Sequence, residues 1–150
     1  MSQLKNRACV AKAATDVIAM SYAGLYGLKI MVARPGNHTG PGQSPRFVVP
    51  ALSRQIKAIA RGESNPVLKV GNLESEREFS DVRDVARAYR MLIDKGVPGE
   101  IYNVSAGRGM KIGELLSELC RLAGVNPRIE VDAARFRPTD RAPRLSAEKI

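Results

Sequence analysis

Residues 28–47 read "LKIMVARPGNHTGPGQSPRF", and this stretch decides the fold class. Its first six residues are apolar at five positions, the pattern of a strand covered on both faces in a parallel sheet. The chain then enters a loop with three glycines, Gly36, Gly40 and Gly42, and three prolines, Pro35, Pro41 and Pro45. Glycine opens backbone angles closed to other residues and lets another group approach closely, while proline stiffens the path between. Ligands of open α/β sheets sit outside the carboxyl ends of strands. A loop of this composition directly after a buried strand is therefore a binding loop, or an ordered surface loop without a ligand.

The flanking sequence supplies helices and further strands. Upstream, Val10, Ala14, Val17, Ile18, Tyr22 and Leu25 follow helical spacing, with Gly27 as the stop. Downstream, a helix is expected over 49–61, with Pro50 in its first turn and Gly62 at its end. "PVLKVG" (66–71) reads as a strand. "SDVRDVARAYRMLIDKG" (80–96) reads as a helix capped by Ser80 or Asp81, with Asp84 suited to its positive start. Val82, Val85, Ala86, Tyr89, Leu92 and Ile93 form one face of it. "EIYNVS" (100–105) is a strand, and "KIGELLSELCRLAG" (111–124) a helix burying Ile112, Leu115, Leu116, Leu119 and Leu122. "RIEVD" (128–132) is a last strand before a basic tail. This alternation argues for an α/β fold with at least part of a parallel sheet. Yet the pattern opens on a helix, and its first strand needs sheet neighbours. The chain is expected to be part of a larger unit, with an apolar edge that favours self-association.

A chain of 150 residues suits one domain. With 44% hydrophobic and 26% charged residues the composition is that of a globular protein, and no apolar run nears the roughly 20 residues of a membrane span. The start, "MSQLKNRACVAKAATD", lacks the layout of a secretory signal, so a cytoplasmic location is expected. Cys9, Cys120 and the single histidine, His38, do not make metal or disulfide spacings. Cys120 falls on the apolar helix face as a buried thiol. The net charge of +9 points to nucleic acid, an acidic membrane surface or an anionic small molecule. Apart from "ARFRPTDRAPR" the basic residues are dispersed, and no aromatic-interleaved basic motif occurs. Nucleic acid is the weaker reading.

Several residues are candidates for chemistry. Arg77, in "EREFSDVRD", suits bidentate contact with a phosphate, or a surface ion pair with Glu74, Glu78 or Asp81. In "RFRPTD", Arg137 and Asp140 stand on one rigid turn, where they form a phosphate and hydroxyl site or a solvated basic tail. Lys12 is a functional lysine or a helix-surface one. Asn37 and His38 serve a ligand or cap their loop. Nothing in the sequence nominates a carboxylate to orient His38 as a general base.

Taken together, "VAKAATDVIAMSYAGLYGLKIMVARPGNHTGPGQSPRFVVP", "REFSDVRDVARAY", "IYNVSAG" and "RFRPTD" resemble the second half of extended short-chain dehydrogenase/reductases that act on nucleotide sugars. The match is to the GDP-sugar branch, which holds GDP-4-keto-6-deoxymannose reductases and GDP-mannose 4,6-dehydratases; "NHTGPGQ" followed by "FV" and "RQI" is more similar to the reductases. The resemblance implies an NAD(P)-binding Rossmann-like fold. Of it this chain holds the C-terminal part: residues 9–35 as the last helix and strand of the Rossmann part, and 36–150 as the small substrate-binding part. It further implies that Asn37 contacts the sugar or its phosphate, that Phe47 helps enclose the base, that Arg77 and Arg137 bind the diphosphate, and that Asp140 accepts from the ribose.

Two departures accompany the resemblance. The family pairs a catalytic Tyr with a Lys four positions later, which lowers the Tyr pKa and holds the cofactor ribose; Lys12 matches the Lys, but Ala8 stands where the Tyr belongs. The Gly-rich pyrophosphate turn is absent as well, and "GRG" at 107–109 lacks its spacing. The expectation is a truncated member that binds a GDP-sugar, holds no NAD(P) and is inactive by itself, needing a complementary Rossmann half or an intact relative. A GDP-mannose 4,6-dehydratase proper, a non-catalytic nucleotide-sugar-binding remnant and a basic nucleic-acid-binding module are the alternatives.

Overall fold

The structure, a computed structural model, describes the backbone of residues 2–136 and 145–149, with side chains from residue 9 onward. The chain runs α1 (Ser2–Tyr26), β1 (Val32–Pro35), β2 (His38–Thr39), α2 (Val48–Ala60), β3 (Val67–Val70), β4 (Glu76–Glu78), β5 (Ser80–Asp81), α3 (Val82–Lys95), β6 (Ile101–Val104), β7 (Gly109–Lys111), α4 (Ile112–Ala123) and β8 (Arg128–Val131). Among the described residues the strands form four pairs. β1 with β6, β2 with β5 and β3 with β8 are parallel, and β4 with β7 is antiparallel. The α/β class with a largely parallel arrangement is thus the observed one.

Local chemistry explains where the helices begin and end. Asp81, not Ser80, caps α3: its carboxylate accepts from the Arg83 N–H at 2.8 Å. At the other end of α4, Gly124 takes the left-handed conformation at φ 65°, and its N–H closes on the Arg121 and Cys120 carbonyls. Pro50 sits in the first turn of α2, where its missing N–H costs no hydrogen bond.

Two apolar clusters hold the chain together. Leu52 and Ile56 of α2, Leu68 and Val70 of β3, and Ile112 and Leu116 of α4 make the first. Val85 and Leu92 of α3 meet Tyr102 and Val104 of β6 in the second, with Met31, Ala33 and Ala88 packed against them.

Several expectations are corrected. α1 reaches back to Ser2 rather than starting at Val10. The expected strand over 28–33 is a strand only from Val32, and Leu28 is exposed. Its partner β6 begins at Ile101, opposite Val32, so the earlier residues have no ladder to join. The apolar face assigned to α3 is only partly buried: Val85 and Leu92 are inside, whereas Val82, Ala86, Tyr89 and Ile93 are exposed. On α4, Ile112 and Leu116 are buried and Leu115 and Leu119 half-buried, but Leu122 points to solvent. Cys120 is half-buried against the first cluster, and burial pushes its thiol pKa up. α1 carries its apolar residues outward: Val10, Val17, Ile18, Tyr22 and Leu25 are all exposed.

Candidate functional site

The loop after β1 is tied down at its entrance and across its middle. The Gly36 N–H donates to the Val104 carbonyl at 2.9 Å, fastening the loop entrance to the end of β6. The Asn37 carbonyl accepts from the Ser80 N–H at 2.9 Å, and His38 and Thr39 then lie beside Ser80 and Asp81 as the β2–β5 pair. Thr39 Oγ1 donates to Gln43 Oε1 at 2.8 Å, and Gln43 Nε2 donates to the His38 carbonyl at 3.0 Å. His38 spends one ring nitrogen, Nδ1, on the Gly36 carbonyl at 3.1 Å, so it serves the loop as a brace. Gly40 is needed where it stands, since a Cβ there would lie 2.4 Å from Val82 Cγ1. The loop is therefore ordered and pressed against the start of α3.

Strand β4 brings Arg77 to the same region. Arg77 pairs with Met110 across β4–β7 and lies three residues before Ser80, the partner of Asn37; at about 3.3 Å per extended residue that is about 10 Å along the chain. Arg77 is half-buried, and its Nη1 donates to the Glu76 carbonyl at 2.8 Å. Two of the carboxylates that the sequence offered it as partners also hold other cations. Glu74 binds Lys111 Nζ at 2.8 Å, and Asp81 holds Arg83 at 2.6 Å. The Arg83 guanidinium and N–H keep Asp81 well below the usual carboxylate range, and the Glu74 carboxylate raises Lys111.

Glu78 has an environment that the sequence did not announce. It is only 8% exposed. Its Oε1 accepts from Ser105 Oγ at 2.5 Å, from the Ala106 N–H at 2.5 Å and from the Gly107 N–H at 3.3 Å. Consecutive backbone N–H groups make an anion-binding concavity, and here the chain's own carboxylate fills it.

The other candidate side chains are exposed or belong to residues outside the described ones. Asn37 has an exposed side chain, and Phe47, the residue preceding α2, is 57% exposed. Lys12 is exposed on α1, one turn before Asp16. Asp16 holds Arg34 of β1 at 2.7 Å, which sets that helix face beside the strand end where the loop begins. Arg137 and Asp140 lie outside the described residues. Among the described residues no group of three or more His, Cys, Asp or Glu is placed to hold a metal ion, and no helix is long and apolar enough to cross a membrane.

The profile of the NAD dependent epimerase/dehydratase family matches residues 9–105, and the chain belongs to that family. It is 38% identical over 133 residues to the GDP-6-deoxy-D-mannose reductase of Pseudomonas aeruginosa, covering 89% of this chain and 44% of that protein. RMD from Pseudomonas aeruginosa complexed with NADPH superposes with a TM-score of 0.83 at 36% identity, over 88% of this chain and 43% of that one. The dTDP-glucose 4,6-dehydratase of Bacillus anthracis in complex with NAD gives 0.76 at 28% identity, over 93% and 43%. The chain thus spans less than half the length of these relatives.

Two of these solved structures hold a dinucleotide, NADPH in one and NAD in the other, and among the described residues the 107–109 turn does not offer a cradle for one. At 107–109, one of two Gly-x-Gly runs of the sequence beside 40–42, the Gly107 N–H is committed to Glu78 and Ser105. A Cβ on Gly109 would lie 2.4 Å from Glu76 Oε1, so the Glu76 carboxylate rests against this turn. No hydride step is assigned to these residues.

Proposed function

We propose that this chain supplies the nucleotide-sugar side of an NAD(P)-dependent GDP-sugar oxidoreductase of the reductase type, with GDP-4-keto-6-deoxymannose or GDP-mannose as ligand. The observation that carries the reading is the Asn37–Ser80 hydrogen bond, which sets the ordered loop beside the strand segment that bears Arg77. An arginine fork matches a diphosphate in charge and geometry. In this reading Asn37 contacts the sugar or its phosphate, Phe47 covers the base, Arg77 and Arg137 take the diphosphate and Asp140 the ribose. Lys12 keeps the place of the family lysine, while Ala8 supplies no proton donor. The chain by itself then binds no dinucleotide and transfers no hydride.

The partition of the chain belongs to the same proposal. Residues 9–35 act as the last helix and strand of the cofactor-binding part and 36–150 as the substrate part, with the β1–β6 pair as their seam. The exposed apolar residues of α1 and the second edge of β1 then receive a complementary nucleotide-binding half, supplied by further polypeptide or by an intact relative. The expected setting is the cytoplasm.

A thermal melt with and without about millimolar GDP-mannose tests the reading, because a ligand that binds only the folded state raises the midpoint. Wild type is expected to shift upward and Arg77→Ala to shift less. dTDP-glucose serves as the control for base preference. Equal midpoints with and without GDP-mannose would overturn the assignment, and equal shifts in wild type and Arg77→Ala would remove Arg77 from it.

A further inference from the structure

Glu78 joins three separate parts of the chain. Its carboxylate holds the 105–107 turn, and Ser105 Oγ, which donates to it, also lies 3.1 Å from the Leu145 carbonyl oxygen. The loop entrance rests against the same point: a Cβ on Gly36 would stand 3.7 Å from Glu78 Oε1, 3.7 Å from Leu145 Cδ1 and 3.7 Å from the Val104 carbonyl. Asn103, one residue before Val104, donates from Nδ2 to the Ser146 carbonyl at 3.0 Å. The buried carboxylate is therefore packed where β4, the end of β6, the entrance of the candidate loop and the 145–149 segment converge.

We propose that Glu78 is the positioning residue of the candidate site: it fixes the 105–107 turn and thereby sets where the loop that begins at Gly36 stands relative to Arg77. The claim rests on the nucleotide-sugar reading for its ligand, but the loop coupling itself is a property of the chain. A carboxylate is required because it accepts several N–H and O–H donors at once, and such charge-assisted bonds are roughly twice as strong as neutral ones. Adjacent strand residues point to opposite faces. One short strand thus carries the phosphate-binding candidate on one side and the anchor of the loop entrance on the other.

Hydrogen exchange on the full chain, with Glu78→Gln and Ser105→Ala beside wild type, tests this. Exchange at Ala106 and Gly107 should accelerate about tenfold in Glu78→Gln, from the loss of a charged acceptor. Positioning predicts a further acceleration at the Gly36 and Ser80 amides, which hydrogen-bond Val104 and Asn37 rather than Glu78. Acceleration confined to Ala106 and Gly107 would overturn the proposal. Ser105→Ala should move the same amides by a smaller factor, and it decides the matter if Glu78→Gln fails to give a cooperative melt. The ligand arm is GDP-mannose affinity, measured calorimetrically below both melting transitions. About tenfold weaker binding by folded Glu78→Gln supports positioning, whereas unchanged affinity with a lowered melting temperature reduces Glu78 to a purely structural part. A wild type that fails to bind GDP-mannose overturns the functional reading instead, and the exchange arm alone then decides the role of Glu78.

Discussion

Substituting Gly40 by Ala places a methyl carbon where α3 already is. A Cβ at Gly40 would stand 2.4 Å from Val82 Cγ1 and 3.2 Å from Val82 Cβ, whereas carbons rest at about 3.5–4.0 Å. Something must therefore give way by about 1 Å. Val82 is β-branched and opens α3, so its side chain has little rotameric freedom. The loop is equally constrained, through the Thr39 and Gln43 bonds and the β2–β5 register. Overpacking of this kind costs about 1–3 kcal/mol, offset by about 0.4–1 kcal/mol because alanine narrows the unfolded ensemble. The net expectation is a loss of about 1–2 kcal/mol. Val82→Ala removes the nearer carbon and keeps the farther one, so the double variant should recover about 1 kcal/mol of that loss, beyond the additivity error of about 0.3–0.5 kcal/mol. Urea unfolding of wild type, both single variants and the double variant measures the coupling. A Gly40→Ala chain as stable as wild type, or a double variant whose effects simply add, would refute the claim that the loop is pressed against α3.

Leu116→Ala, in the cluster between α2, β3 and α4, should cost about 2–5 kcal/mol, whereas Leu122→Ala on the same helix should stay within about 0.5–1 kcal/mol; the two urea midpoints check the contrast. Asp81 is held below its ordinary value of 3.8 by Arg83, so the stability it contributes is fully present above that value and is lost as pH falls toward the lower, folded-state value. The melting temperatures of wild type and Asp81→Ala should therefore differ near neutrality and converge in strong acid, and a constant gap would exclude the cap as the source. Ile18→Lys on the outward apolar face of α1 should shift the sedimentation of the purified chain toward smaller species without loss of helical circular dichroism; an unchanged distribution would mean that this face does not drive association.

The sequence made the helices legible because their ends carry side-chain and glycine signals. The expected spans 49–61, 80–96 and 111–124 fall within two residues at each end of Val48–Ala60, Val82–Lys95 and Ile112–Ala123. Which way a helix turns its apolar residues was less legible. Periodicity locates an apolar stripe, but burial depends on what arrives opposite it, so Ile93 and Leu122 read as core and lie outside. Strands suffered in the same way. The run 28–31 has strand composition yet meets no ladder, while β4, β5 and β7 exist only because distant short segments pair, such as Glu76 with Lys111.

The candidate site divides along the same physical line. Arg77 and the loop glycines were readable because guanidinium groups and glycines announce their chemistry through residue type. Glu78 was not, since a Glu beside an Arg reads as an ion-pair partner, and the donors that hold it include the backbone N–H groups of Ala106 and Gly107. Every residue except proline carries such a donor, so no letter of the sequence marks the ones that a turn will gather into a concavity. Burial of the carboxylate then follows from topology: β4 pairs with β7, the 105–107 turn leads from β6 into β7, and the inward residue of β4 is delivered to the turn's open N–H groups. A buried anion of this kind is expensive to leave unsatisfied, which makes the position of the turn, and of the loop entrance packed against it, a consequence of a single side chain.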